Sequence, residues 1–441
     1  MSGSILIVGY GGSSKADCYR DLKKEEVPTI LVCDDNDRVP SHLFGDVIRV
    51  KNLHDHKHDK ETASKIRDVV NSRKYKVAGV LTLWEDCGPL AAIVGLHLDL
   101  PSNGYGSASL AKDKDRTQQK LLNSSDVNVR NLATKTQKIS DHDDLKQWFE
   151  AAAQKASLLK LAFGSSAAGV FEAPNYEKAV HLYNKVKRDY FDESDLPGIG
   201  LGFGNDVVIC ERHSGSEHDV DIVMYAGRAV ACFVTDNGPT GTEYFAELTA
   251  SMPSLLPVNV QNRLKELSVL ALNEVGLISG VFNLEYIISS EQPKLIDINA
   301  RMGGFYIRDW IRRIWGYDIL TAALSCAKGV MPKEPSTNPN GYISGAMLLP
   351  SSLSEELSEE QKSAILGISD EYDGFFVSIF EEDLHVNFLA DEPWVNVACH
   401  ASSRELSFLK LEMALRNTGV MAVDLDLERS LKELGMRHGK I

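Results

Sequence analysis

The sequence predicts a mixed α/β and α+β protein with two or three subdomains, and three observations lead to that class. The chain of 441 residues is longer than one ordinary core requires. Strand and helix patterns alternate over the first hundred residues, which is typical of a parallel α/β sheet. Strand patterns then dominate and are interrupted by single helices. With 43% hydrophobic and 25% charged residues, the chain can bury a large core.

The first domain is predicted over residues 1–110. Its strand patterns are "SILIVGY", "PTILVCD" and "VAGVLTLW", and they alternate with the helix patterns "KADCYRDLKKEE", "KETASKIRDVVNSRKY" and "GPLAAIVGLHL". The turn "GYGGSSK" follows a strand and precedes a helix, as a phosphate-binding turn would. Its third glycine lies at position 12 rather than 14, which departs from the GxGxxG spacing and favours a structural turn over a dinucleotide site.

The second domain is predicted over residues 111–330. It begins with the helix "DKDRTQQKLLNSS", the strand "ASLLKLAF", the helix "NYEKAVHLYNKVKRDYF" and the strand "DVVICER". The strand-rich stretch "HDVDIVMYAGRAVACFVTD" and the helix "NVQNRLKELSVLALNEVG" follow. Residues 331–341 are rich in Pro, Asn and Ser, which indicates a connection to a C-terminal α+β subdomain over residues 331–441.

Charge and cysteine content exclude several classes of partner and compartment. The 47 basic and 62 acidic residues give a formal net charge of −15, which argues against a nucleic-acid-binding protein or an anionic-membrane surface. Seven scattered cysteines form no CxxC pair and predict free thiols. The N-terminal apolar stretch is too short for a signal peptide, and no later stretch is long enough to span a membrane. We therefore expect a cytoplasmic protein.

Asp297 and Asn299 end a run of alternating apolar residues and follow a pattern typical of a β-hairpin. If the hairpin is symmetric about Glu291, Glu285 lies across from Asp297, and Asn283 lies across from Asn299. Facing carboxylates would have Cβ atoms roughly 5 Å apart and would repel each other. We therefore expect a cation between them, and oxygen ligands of this kind suit Mg²⁺. The alternative is a solvent-facing polar stripe on a half-exposed sheet.

Two other stretches are candidates for binding. Lys160 ends a strand and precedes a loop of small residues, where Gly164 and Gly169 have the spacing of a P-loop but Val170 replaces its lysine. Such a loop could cover phosphates with backbone N–H groups, or it could be a simple hairpin turn. The alternate histidines of "LHDHKHD" could chelate a metal, but their charged flanks favour a solvated loop.

Several segments, in order along nearly the whole chain, resemble the ATP-grasp superfamily. They are "LWEDCGPLAA", "LAKDKDRTQ", "CERHSGSEHDVDIV", "DNGPTGTEYF", "GVFNLEY" and "INARMGGFYIRDW". Within that superfamily the chain resembles the ligase half of a longer enzyme that joins amino acids. The resemblance implies an ATP-grasp fold with a Rossmann-like first domain, a lid subdomain at about 150–212, and amino acid substrates. It also allows a homodimer.

The resemblance implies roles for particular residues. The ATP-binding residues would be Lys114, Lys160, Gly164, Ser165, Ser166, Gly169, Glu211, His213 and Glu217. Two Mg²⁺ ions, for which Mn²⁺ could substitute, would be bound by Glu285, Asp297 and Asn299. The substrate residues would be Glu85, Glu243, Glu247, Arg301 and Arg308. The catalytic residues would be Lys160, Arg301, Gly303 and Gly304.

These roles imply a carboxylate–amine ligase. Transfer of the γ-phosphoryl group of ATP to an amino acid carboxylate gives an acyl phosphate, which an amine then attacks to form a dipeptide with release of ADP and phosphate. Arg301 would stabilise the acyl phosphate and the oxyanion, with backbone N–H groups of Gly303 and Gly304 nearby. Three alternatives are an ATP-grasp ligase or carboxylase acting on another carboxylic acid, a nucleotide-binding sensor without catalysis, and an oxidoreductase built on the first domain.

Some candidates also have structural interpretations. Glu85 could border the amino acid pocket, whereas its neighbour Asp86 could equally be a helix N-cap. Arg308 could contact substrate or pair with Asp309. The superfamily more often has Glu at the position of Asp297, whose shorter side chain still coordinates a metal ion.

Overall fold

The computed structural model describes residues 3–151, 156–164, 167, 169–189, 204, 206–238, 245–289, 292–335, 338–353, 357–380 and 393–437. Within these ranges the chain forms three β-sheets. Ser165, Ser166 and Glu243, which the sequence analysis singled out, lie outside the described residues. Among the described residues, no helix combines the length and the apolar character that crossing a membrane requires.

The first sheet is parallel and confirms the predicted α/β pattern. Its strands lie in the order β3-β2-β1-β4. The elements of this part are β1 Ser4–Val8, α1 Ala16–Lys24, β2 Thr29–Cys33, β3 Asp46–Arg49, α2 Asp59–Ser72, β4 Val77–Leu81 and α3 Gly88–His97. The central strands β1 and β2 are buried and almost wholly apolar, as parallel strands covered on both faces should be. The sequence analysis missed β3, a short edge strand with only two apolar residues.

The glycine turn after β1 has a structural cause. Gly9, Gly11 and Gly12 all have positive φ angles. A Cβ atom on Gly9 would lie 2.4 Å from the Sγ atom of Cys87. Positive φ and close packing both favour glycine, so the structure accounts for these residues as a turn.

Three helices lead from the first sheet to a second, small sheet. They are α4 Tyr105–Lys112, α5 Lys114–Leu122 and α6 Val127–Leu132. The small sheet has the strand order β5-β8-β6-β7, and its elements are β5 Thr136–Ile139, α7 His142–Ala151, β6 Ser157–Leu161, β7 Phe171–Ala173, α8 Tyr176–Asp189 and β8 Val207–Glu211. Because β5 pairs with β8, this unit begins before residue 150, the start predicted for the lid.

The third sheet has eight strands in the order β13-β12-β9-β10-β11-β14-β16-β15. Its first part comprises β9 Ser216–Tyr225, β10 Arg228–Asn237, β11 Thr249–Met252, α9 Val258–Val275, β12 Gly280–Ser289, β13 Gln292–Asn299, α10 Ile307–Trp315 and α11 Ile319–Ala327. The C-terminal part comprises β14 Tyr342–Leu348, α12 Glu359–Leu366, α13 Ile368–Glu371, β15 Phe375–Ile379, β16 Val395–Ala401, α14 Arg404–Asn417 and α15 Leu425–Arg437. The sheet therefore continues across the boundary predicted at residue 330, because β11 pairs with β14.

The β12–β13 hairpin has the register that the sequence predicts at its polar positions. Glu285 pairs with Asp297, and Asn283 pairs with Asn299. The turn is not symmetric, because a register shift follows Glu285 and pairs Tyr286 with Leu295. The alternative of a solvent-facing stripe is wrong: Asp297 and Asn299 are only 8% and 3% exposed.

Candidate active site

An acidic face extends over three neighbouring strands of the large sheet. Glu285 on β12 pairs with Asp297 of β13 on one side and with Asp219 of β9 on the other. Asn283 likewise lies between Asn299 and Asp221. Unit charges about 5 Å apart repel each other by roughly 3 kcal/mol at an effective dielectric constant of about 20. The fold therefore places several carboxylates close together, and a cation bound among them would be stabilising because it offsets their repulsion.

The sequence analysis identified only part of this face. Of the three acids on β9, it selected Glu217 but not Asp219 or Asp221. The signal was present in "SEHDVDIV", because residues two apart in a strand share one face. Glu247 also belongs to the face: its Oε1 atom accepts a hydrogen bond of 2.8 Å from Nδ2 of Asn237, which pairs with Glu217 across β9 and β10.

Burial and mutual repulsion hold these carboxyl groups in an unusual ionisation range. Burial, followed by the charge of Glu285, raises the pKa of Glu217 to about 7. Burial raises the pKa of Asp221 and of Glu285 to about 7 each, and that of Asp219 to about 8. The pKa of Glu247 is raised well above its usual value, first by burial and then by Asp219 and Glu217.

This face fits a hard cation. The Oδ1 atom of Asp219 is buried and has no hydrogen-bond partner among the described residues, although a buried carboxylate oxygen normally has one. Carboxylate and amide oxygens are the ligands that Mg²⁺ prefers. Glu285, Asp297 and Asn299, which the sequence assigns to the metal, are together on this face with Asp219 beside them.

We expect the stability of the nucleotide-free protein to decrease as pH rises. The folded pKa values of about 7 to 8 exceed those of unfolded carboxyl groups. At a pH between the unfolded and the folded pKa values, the folded state therefore binds more protons than the unfolded state. The contribution of these groups to the free energy of unfolding is therefore highest in acid and decreases as pH rises through the folded pKa values. The melting temperature without divalent ions should fall from about pH 6 to about pH 8, and Mg²⁺–ATP should flatten that slope. A melting temperature that rises over this range would contradict the assignment.

Lys114 and Asn299 partly compensate the negative charge of the face, the first by an ion pair and the second by hydrogen bonds. The ammonium group of Lys114 forms an ion pair with Asp297. Asn299 donates hydrogen bonds of 2.9 Å from Nδ2 to Oδ1 of Asn283 and to Oε1 of Glu285. Burial lowers the pKa of Lys114, but Asp297, Glu85 and Glu285 outweigh it and raise the pKa overall. Lys114 therefore stays charged at the edge of the face.

Arg301 belongs to a second network that joins the hairpin to the first domain. Its Nη2 atom lies 3.1 Å from Oε2 of Glu85, and its Nη1 atom donates to the carbonyl of Met302. The Nζ atom of Lys112 lies 2.9 Å from Glu85 and 2.6 Å from Asp86. Burial raises the pKa of Glu85, but Lys112, Arg301 and Lys114 lower it to about 2. Glu85 therefore stays ionised and holds Lys112 and Arg301 in position.

The sequence analysis missed Lys112, and its N-cap interpretation of Asp86 is wrong. Asp86 pairs with Lys112, while the residue that caps α3 is Cys87. Lys112 is 5% exposed, and burying a lysine this deeply requires carboxylate partners. Its position in "LAKDKDRTQ", two residues before Lys114, was the only signal in the sequence.

The two glycines after Arg301 differ in their surroundings. The N–H group of Gly303 donates a 2.9 Å hydrogen bond to Oδ1 of Asp221, and a Cβ atom there would lie 2.5 Å from the same oxygen. A Cβ atom on Gly304 would meet nothing within 4 Å. Gly303 therefore holds Asp221 in place, and Gly304 borders open space.

The candidates for nucleotide binding lie where the small sheet meets the large one. Lys160 on β6 lowers the pKa of Glu217 on β9, although burial prevails, so the charge of Lys160 acts on the acidic face. Glu211 ends β8, and the imidazole of His213 lies 3.1 Å from the hydroxyl of Thr134. The ammonium group of Lys160 forms no hydrogen bond or ion pair with the described residues, whereas its backbone pairs with Val208 of β8.

Arg308 lies in an ion-pair cluster of its own. Its guanidinium donates to both carboxylate oxygens of Asp318, at 2.8 and 2.6 Å, and lies 2.8 Å from Asp21 of α1. The proposed pair with Asp309 is wrong, since Asp309 pairs with Arg313. The structure thus gives Arg308 a role in joining α10, α11 and the first domain.

A cavity of about 270 Å³ adjoins Arg301. Small and apolar side chains from the first domain, α11 and β12 form most of its lining, including Leu83, Ala91, Val281 and Ala323. Pockets for drug-sized ligands are typically 300–1,000 Å³, so this space suits a smaller metabolite.

Solved structures with the same fold define the class of protein. The L-amino acid ligase from Bacillus licheniformis aligns with a TM-score of 0.71 over 95% of this chain and 98% of its own, at 13% identity. The biotin carboxylase domain of Hydrogenobacter thermophilus 2-oxoglutarate carboxylase, solved with MgADP, ADP and bicarbonate, aligns with a TM-score of 0.69 over 100% of this chain and 96% of its own, at 14% identity. The chain therefore has the ATP-grasp fold.

Sequence comparison gives a closer relationship. Human carnosine synthase 1 is 33% identical over 424 residues, which cover 94% of this chain and 50% of that protein. The solved structures confirm the ATP-grasp fold that the sequence motifs predicted, and the chain is similar to carnosine synthase 1 over most of its length. No protein-family model matches the chain. The chain spans about half the length of the curated relatives it matches.

Proposed function

We propose that the chain is an ATP-dependent carboxylate–amine ligase that joins two amino acids into a dipeptide and releases ADP and phosphate. The observation that carries this proposal is the acidic face with Glu285, Asp297 and Asn299, which has Lys114 at its edge and is influenced by the charge of Lys160. The relationship to carnosine synthase 1 and the fold of an amino acid ligase support the same reaction class.

The acidic face would hold two Mg²⁺ ions, with Mn²⁺ as a substitute. Glu285, Asp297, Asn299 and Asp219 would be their ligands. When bound, the ions would neutralise the phosphate oxygens of ATP and the charge that develops during phosphoryl transfer. Burial, followed by repulsion from Asp297 and Asp219, raises the pKa of Glu285, and the double positive charge of each ion would offset that repulsion.

The cationic side chains would orient the nucleotide. Lys160, whose charge acts on Glu217, would bind phosphate oxygens as a point charge. Lys114 would release Asp297 to the metal and turn to the same phosphates. Glu211 ends β8 and His213 follows it in the linker to β9. Glu211 and the backbone at His213 would bind adenine, and Glu217 would face the ribose. Residues 164–169 would cover the phosphates.

Arg301 would act on the carboxylate that is activated. Its planar guanidinium can bind two oxygens of an acyl phosphate and then donate to the oxyanion of the tetrahedral intermediate. Gly304 borders open space after Arg301 and offers a backbone N–H group nearby. The cavity beside Arg301 would receive an amino acid, with Glu247 and Glu243 as partners for an ammonium group.

The acyl-phosphate route has a direct test. We expect turnover of ATP with paired amino acids to give ADP and phosphate, because the route transfers only the γ-phosphoryl group. An amino acid labelled with ¹⁸O in its carboxylate should pass one labelled oxygen to the phosphate. AMP and pyrophosphate as products, or unlabelled phosphate, would contradict the route.

The same assay distinguishes the alternative functions. Phosphate release that requires a carboxylic acid and an amine would exclude a sensor. Release with bicarbonate or another small acid alone would favour a carboxylase, the activity named for one structure with this fold. A predicted homodimer would be seen as a doubled mass in light scattering.

A further inference from the structure

Two histidines and a cysteine form a buried cluster in the first domain, outside the acidic face. His54 and His56 lie between β3 and α2, and Cys87 lies in the short 3₁₀ turn before α3. One ligand atom from each residue lies within 4.8 Å of the other two. His56 and Cys87 are 4% and 0% exposed. The expectation of a solvated loop is therefore wrong for His56, although it holds for the exposed His58.

Each histidine has a carboxylate on one ring nitrogen. The Nδ1 atom of His56 lies 3.0 Å from Oδ1 of Asp59, and the Nε2 atom of His54 lies 3.4 Å from Oδ1 of Asp37. A carboxylate accepts a hydrogen bond from the ring N–H group that it faces, so in a neutral imidazole the opposite nitrogen carries the lone pair. Metal-binding histidines are held by carboxylates in this way.

One of these lone-pair atoms lacks a partner. The Nδ1 atom of His54 is buried and has no hydrogen-bond partner among the described residues. The ring of His54 is fixed by Trp84, whose ring centroid lies 4.8 Å away in an edge-on arrangement. A buried polar atom without a hydrogen-bond partner destabilises the fold, so a ligand bound to Nδ1 of His54 would be stabilising.

The surroundings of Cys87 also suit a ligand. Its Sγ atom packs against Gly9, where a Cβ atom would lie 2.4 Å from the sulfur. This places the thiol at the carboxyl end of β1, the edge at which parallel α/β sheets bind their ligands.

We propose that His54, His56 and Cys87 bind one divalent transition-metal ion of the zinc type. Imidazole and thiolate ligands select such ions over Mg²⁺. Zinc ligands at about 2.0–2.3 Å from a tetrahedral ion lie roughly 3.3–3.8 Å apart, so a shift on the order of 1 Å closes the cluster. Three protein ligands leave the fourth position to water. Binding releases the thiol proton of Cys87 to solvent and oxidises nothing.

Co²⁺ is the probe that tests this site, because cobalt–thiolate bonds give a charge-transfer band that oxygen ligands do not. The full chain, stripped with a chelator and kept free of nucleotide, should bind one Co²⁺ with that band, and Zn²⁺ should remove it. Cys87→Ser should abolish the band. His54→Gln should weaken Co²⁺ binding at least about 10-fold, and Asp59→Asn should weaken it by about 10- to 100-fold.

Matched controls separate this site from the acidic face and from other thiols. Cys33→Ser changes another buried cysteine of the same domain, and Glu285→Gln changes the acidic face; both should keep the band at full intensity. Circular dichroism checks that each variant is folded. A band that is absent from the parent chain, that survives in folded Cys87→Ser, or that is lost in folded Cys33→Ser would overturn the proposal.

Discussion

Glu285→Gln should lower kcat by at least about 10²-fold while leaving the nucleotide-free protein as stable as the parent chain or more stable. Activity should fall because, in the proposed mechanism, Glu285 binds Mg²⁺ and a neutral amide is a weaker ligand than a carboxylate. Stability is retained because Glu285 lies between Asp219 and Asp297, and burial with their charges raises its pKa to about 7. The gain in melting temperature should be present near pH 8 and vanish near pH 5, where Glu285 is protonated.

Two variants serve as comparisons for Glu285→Gln. Asp297→Asn should also lose activity, but it should destabilise the protein, because it removes the carboxylate that pairs with Lys114. Glu266→Gln changes an exposed glutamate that pairs with Arg263 on α9, and it should alter neither property. If Glu285→Gln were clearly less stable than the parent chain at pH 8, Glu285 would be structural and the metal assignment wrong.

Arg301→Lys should lower kcat by about 10²- to 10³-fold with little change in nucleotide affinity. A lysine supplies a point charge but not the planar pair of donors that a phosphoryl group or a carboxylate accepts. The protein should remain folded, because Glu85 keeps its 2.9 Å ion pair with Lys112 when the contact to Arg301 is lost. Steady-state kinetics, nucleotide titration and a thermal melt measure the three effects.

The matched control is Arg416→Lys, which makes the same exchange at an exposed arginine paired with Glu412. It should leave kcat unchanged. Near-normal kcat in Arg301→Lys would remove Arg301 from the catalytic residues. Loss of activity that follows a lowered melting temperature would instead make Arg301 a structural link between Glu85 and the hairpin.

Local patterns predicted much of the fold and part of the site. The parallel first domain followed from apolar strands alternating with helices, and the pairing of Glu285 with Asp297 followed from a period of two on both sides of a turn. Such features depend on neighbours in the chain. Motifs in the sequence predicted the ATP-grasp fold, which the solved structures with the same fold confirm.

Contacts between distant segments were decided only by the tertiary structure. Asp219 and Asp221 join the acidic face because β9 pairs with β12, some sixty residues later in the chain. Lys112 is buried because Glu85 and Asp86 meet it from the first domain. Cys87 meets His54 and His56 only because α3 and α2 pack on one sheet edge. Periodicity shows on which face of an element a side chain lies, whereas packing determines which other elements share that face. The sequence therefore predicted the pairing across the hairpin, and the fold determined which residues lie beside it.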